Sequence, residues 1–82
     1  MTKPAGNRMG RRFVVCLKND GYPASLELRK VYQSLPDPKA ARLALVRVID
    51  ESGEDYLYPK AFFAPITLRR DVREALETLA AW

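Results

Sequence analysis

The sequence predicts a mainly β domain, a small five-stranded antiparallel barrel followed by a C-terminal α-helix. Three observations carry this expectation. β-branched and aromatic runs of strand length alternate with Pro, Gly and Asn-Asp signals; one hairpin has turn chemistry that fixes its register; and the chain ends in an amphipathic segment.

Strand one is RFVVCLK, Arg12 to Lys18, bounded by the turn signal Asn19-Asp20-Gly21. An irregular loop, NDGYPASLEL, leads into ELRKVYQSL, Glu27 to Leu35, which alternates as strand two. Pro36, Asp37 and Pro38 stop that strand, because proline cannot donate to a ladder. The KAARLA that follows reads as one helical turn or a loop.

LVRVID and EDYLYP form the clearest hairpin. Asp50-Glu51-Ser52-Gly53 fits a type I turn, with Asp first and a glycine supplying the left-handed residue of the bulge that follows. Asp50 then opposes Glu54, which sets Val48 against Tyr56 and Val46 against Tyr58 on one side. Arg47 against Leu57 and Ile49 against Asp55 occupy the other, with Arg47 and Asp55 as diagonal neighbours. The first side is the better core.

At the C terminus, Asp71 is placed to cap a helix, with Glu74 returning to its backbone as in a capping box. Val72, Ala75, Leu76, Leu79 and Trp82 fall on one stripe of a helix expected from Asp71 to Ala81. That stripe is expected to dock on the domain itself, the alternative being a partner or dimer helix.

Eighty-two residues make at most one domain, with 48% hydrophobic and 29% charged residues, a composition that folds. The net charge of +4 points to nucleic acid until it is mapped. Met1 to Arg12 holds Lys3, Arg8, Arg11 and Arg12 and no acid, leaving ten basic and ten acidic residues from Phe13 onward. Residues 1–12 therefore read as a disordered basic tail, either solvated or an arm for an anion, and Met9 is a second candidate start. Residues 13–66 form the barrel and 67–82 the helix.

No run approaches the roughly 18 apolar residues of a membrane span, and the N terminus lacks a signal-like apolar centre, so a cytoplasmic protein is expected. Histidine is absent, and the single cysteine, Cys16, sits in an apolar run as a small buried hydrophobe. Asp50, Glu51, Glu54 and Asp55 put four carboxylates in six residues, but around a tight turn they read as solvated rather than convergent on a cation. No phosphate loop, CxxC pair or serine nucleophile context appears. The expectation is no catalytic residue, no metal, no cofactor and no enzyme.

YLYPKAFFAPI, Tyr56 to Ile66, resembles the end of an SH3-like barrel, where a strand closing on proline enters one tight helical turn and then a last short strand. The resemblance implies that Tyr58 and Phe63 point inward, that Lys60, Ala61 and Phe62 form the turn, and that Ala64 to Ile66 is strand five. Pro59 and Phe62 are spaced like part of a polyproline groove, but the other aromatic and acidic contributors are missing, and the only tryptophan is Trp82. Residues 13–66 are also similar to small bacterial SH3-like proteins whose function is not established; that likeness implies a fold and no site.

The leading functional expectation is a non-enzymatic adaptor that binds a protein through Tyr22, Pro23, Pro59 and Phe62. The alternative is an RNA-associated barrel using Lys18, Arg29, Lys30 and Arg42. A monomer or weak homodimer is expected, paired if at all through a strand edge or the terminal helix.

Overall fold

The computed structural model describes residues 12–79. Five antiparallel strands form one sheet: β1 (Arg12–Cys16), β2 (Val31–Leu35), β3 (Leu45–Ile49), β4 (Asp55–Pro59) and β5 (Phe63–Ile66). Two α-helices, α1 (Pro38–Arg42) and α2 (Arg70–Leu79), accompany the sheet among the described residues. The order is β4-β3-β2-β1-β5, so β5 lies beside β1 as expected, and β4 and β5 are the two edges.

These edges are joined by a single 3-10 turn, Lys60–Phe62, which leaves the sheet no option but to curl. Phe63 pairs with Cys16 at one edge while its ring lies 6.2 Å from that of Tyr58 at the other. Inside the curl, Val14, Cys16, Leu26, Tyr32, Val48, Tyr58 and Phe63 form the core, with Val46 and Phe62 packed against it. Each large side chain removed from water here contributes about 1.5–3 kcal/mol. Cys16 is fully buried and its thiol donates to the Lys18 carbonyl (3.2 Å). Burial is the largest influence on its pKa and raises it, as suits a core residue.

The hairpin follows its turn chemistry. Val48 opposes Tyr56, Val46 opposes Tyr58, Arg47 opposes Leu57 and Ile49 opposes Asp55. Asp50 N–H donates to Glu54 O, Gly53 N–H donates to Asp50 O, and Gly53 takes φ +85°, the left-handed conformation that glycine adopts without strain. KAARLA resolves to a helical turn: Asp37 caps α1 by accepting from Ala40 N–H (3.0 Å) and also accepts from Arg47 (2.9 Å). Arg47 reaches its diagonal neighbour Asp55 as well (2.9 Å).

Three expectations need correction. Strand two begins at Val31, not Glu27, because Arg29 turns left-handed (φ 66°) so that its N–H can reach Cys16 O, closing the loop on β1. Strand one ends at Cys16, and the N–H groups of Leu17 and Lys18 both turn to Phe62 O. In α2, Asp71 lies inside the first turn with its carboxylate held by Arg69, and Glu74 pairs with Arg70, so the capping box does not form.

Within the expected stripe of α2, Val72 and Ala75 are exposed and Leu76 is half-buried. Ala81, expected to end that helix, and Trp82, expected on its stripe, lie outside the described residues, as does the basic tail before Arg12. Arg12 itself is the exposed first residue of β1. No helix among the described residues is long and apolar enough to cross a membrane.

Candidate functional site

The β1–β2 loop and the β3–β4 hairpin meet at one end of the sheet, where Glu51 N–H donates to Ser25 O (3.0 Å). Tyr22 stands in the loop at the start of a local turn, its carbonyl accepting from Ser25 and Leu26 N–H. Its ring sits edge-to-face on Tyr58, with centroids 5.0 Å apart and planes at 89°, and lies 6.2 Å from Phe62. Although it makes these contacts, Tyr22 is 42% exposed.

Of the four residues expected to bind a protein, Tyr22 and Phe62 are therefore brought together, Phe62 half-buried behind Tyr22. Pro23 is exposed but lines a separate hollow with Asn19, Leu28 and Arg29. Pro59 is half-buried at the end of β4, opposite Leu45.

In front of Tyr22 is an open cleft lined also by Ser25, Asp50, Ser52, Tyr56, Leu57 and Tyr58. Tyr56 shares the inward side with Val48 in the hairpin register but is 49% exposed, because it lies on an edge strand just past the turn. Its hydroxyl donates to Glu54 (2.9 Å). Neither Tyr56 nor Asp50 was expected in a site.

The turn carboxylates are not simply solvated. Asp50 is 2% exposed and accepts from Ser52 N–H (2.9 Å), the Ser52 hydroxyl (2.6 Å) and the Tyr58 hydroxyl (2.5 Å). Burial pushes its pKa up, but the bonds from Ser52 and Tyr58 outweigh that and hold the carboxyl below its usual range. The Tyr58 phenol is pushed up to about 12 by burial and by Asp50. A sequence signal existed: an inward tyrosine needs a partner for its hydroxyl, and the hairpin register puts Asp50 and Glu54 on the side of Tyr58.

Glu51 accepts from the Tyr32 hydroxyl (2.5 Å) and from Lys30 Nζ (2.7 Å), and the Tyr32 hydroxyl in turn accepts from Glu27 N–H (2.7 Å). Lys30 also lies over the Tyr32 ring, 5.6 Å from its centroid. Among the basic residues expected to touch RNA, Lys30 is thus engaged within the fold. Lys18 and Arg29 are exposed near the base of the β1–β2 loop, and Arg42 is exposed on α1. Among the described residues, no group of three or more His, Cys, Asp and Glu side chains is placed to hold a metal ion.

No protein family, curated protein or solved structure matches the chain.

Proposed function

We propose that this chain is a non-enzymatic, cytoplasmic interaction module built as an SH3-like barrel, and that it binds a protein partner at the cleft in front of Tyr22. One observation carries the reading: an exposed tyrosine ring is braced by Tyr58 and Phe62 beside a cleft that also exposes Tyr56 and Leu57. A braced aromatic loses little side-chain entropy on binding, which is why tyrosine serves as an interface anchor.

The test is affinity capture from source lysate, with and without nuclease, using the native chain and Tyr22→Ala. A polypeptide retained after nuclease and reduced about tenfold by Tyr22→Ala supports the reading. Recovery that disappears with nuclease, together with steeply salt-dependent RNA binding that shifts Lys18, Arg29 and Arg42, would replace it with the nucleic-acid reading.

A further inference from the structure

Asp50 is the only buried carboxylate among the described residues, and all three of its hydrogen bonds come from neutral donors. The ion pairs among those residues join Lys30 to Glu51, Arg47 to Asp37 and Asp55, Arg69 to Asp71, and Arg70 to Glu74. None of them includes Asp50. A buried negative charge is ordinarily matched by a positive one, because hydrogen bonds from neutral groups offset only part of the lost solvation.

Asp50 also lines the cleft that Tyr22, Tyr56 and Tyr58 wall. Tyr22 and Tyr58 stand nearly perpendicular, so they form a corner and not a flat stack. The face of an aromatic ring is the negative end of its quadrupole and attracts a cation, the more so when water is partly excluded. Carboxylate and rings therefore favour the same sign of charge in the same place, and Glu54, which accepts from Tyr56, adds a further negative group beside it.

The fold contains an internal version of this arrangement. At Glu51, a tyrosine hydroxyl and a lysine ammonium converge on one carboxylate, with the ammonium lying over the tyrosine ring. At Asp50 the tyrosine and the carboxylate recur, but no lysine or arginine of the described residues joins them.

We infer that the Tyr22–Tyr56–Tyr58 cleft binds an organic cation, the ammonium or guanidinium head of a lysine or arginine side chain presented by the partner polypeptide. This deepens the protein-interaction reading and rests on it for the source of the cation. Charge complementarity selects this occupant over an apolar side chain, since the buried Asp50 charge has no cationic partner among the described residues and an apolar head would supply none. The alkyl stem of a basic side chain has Leu57 to lie against at the cleft wall.

The experiment is an NMR titration of the full chain with four acetylated and amidated tripeptides, Gly-X-Gly, where X is lysine, trimethyl-lysine, arginine or norleucine. Saturable shifts centred on Tyr22, Ser52 and Tyr56 are expected with the three cationic peptides, and binding by the norleucine peptide at least about fivefold weaker. Tyr22→Leu and Tyr56→Leu should each weaken binding about threefold to tenfold, whereas Tyr22→Phe and Tyr56→Phe, which keep the ring faces, should bind as the native chain does. The relative response to lysine, trimethyl-lysine and arginine identifies which head group the corner accepts.

Equal binding of the norleucine peptide, shifts centred elsewhere, no saturable shift with any cationic peptide, or indifference to both leucine substitutions would each overturn the inference. Both leucine variants alter exposed side chains, and their unperturbed spectra elsewhere verify the fold. If no cationic peptide binds while Tyr22→Ala still abolishes capture of a nuclease-resistant partner, the cation site fails and the interaction module stands. If the peptides bind and no polypeptide is captured, the cation site stands and the source assigned to it fails.

Discussion

Asp50 and Glu51 are adjacent in one hairpin turn, and each accepts a hydrogen bond from a core tyrosine, yet their surroundings differ. Asp50 is buried, served by Ser52 and Tyr58, and has no cationic partner among the described residues. Glu51 lies at the rim, where Lys30 first and Tyr32 second lower its pKa against a smaller opposing effect of burial. The same pairing of tyrosine and carboxylate is thus completed within the chain at Glu51 and left facing a cleft at Asp50. The difference separates a structural tie from a site.

The largest effect expected from breaking this comparison is at the buried member. Asp50→Ala leaves the Tyr58 hydroxyl and Ser52 N–H without their acceptor, the former in the core, and should lower unfolding free energy by about 3 kcal/mol. Glu51→Ala removes a part-exposed carboxylate, whose place beside Lys30 and the Tyr32 hydroxyl water can take, and should cost about 1 kcal/mol. Urea denaturation at unchanged m reads both. Equal losses would show that burial does not distinguish the two carboxylates.

A smaller effect is expected from pH. Both carboxyls have folded pKa values below their ordinary ones, so the unfolded chain binds more protons in acid. Their stabilisation is present above the unfolded pKa, about 4, and is lost as pH falls through the folded values. Tyr58 behaves oppositely: with a folded pKa of about 12, its contribution is complete below about pH 10 and is lost as pH rises through 12. A plot of Tm against pH should therefore be flat from about pH 5 to 9 and fall on both sides. Asp50→Asn should flatten the acid limb and Tyr58→Phe the alkaline limb; limbs unchanged in these variants would refute the assignments.

The sequence carried the hairpin in full, because a turn of Asp-Glu-Ser-Gly permits one register and alternation then assigns every side chain. The 3-10 turn and the inward Tyr58 and Phe63 came from likeness to SH3-like barrels, and each holds. What could not be read depended on contacts distant in sequence. ELRK alternates like a strand, and nothing about an arginine announces a positive φ; Arg29 adopts it because Cys16 O awaits its N–H. Glu51 reads as solvated until Tyr32, nineteen residues away, is placed against it. Charge counting could not find the cleft either, since the feature that matters there is one buried carboxylate without a cation among the described residues, not an excess of either sign.

The smallest expected stability change sharpens the comparison most. Lys30→Met keeps an alkyl stem beside Tyr32 and removes the ammonium that serves Glu51. Because the two side chains are 42% and 33% exposed, solvent screens the pair, and the loss should stay below about 1 kcal/mol. The chemical consequence is larger than the energetic one: Glu51, still bonded to Tyr32, becomes a second tyrosine-bound carboxylate without a cation. In the peptide titration this variant should show a new set of shifts at Tyr32 and Glu51, weaker than those at Tyr22 because one tyrosine and not three lines the site. Absence of that second set would mean that a tyrosine and a carboxylate are insufficient, and that the perpendicular corner of Tyr22 and Tyr58 is what gives the cleft its preference.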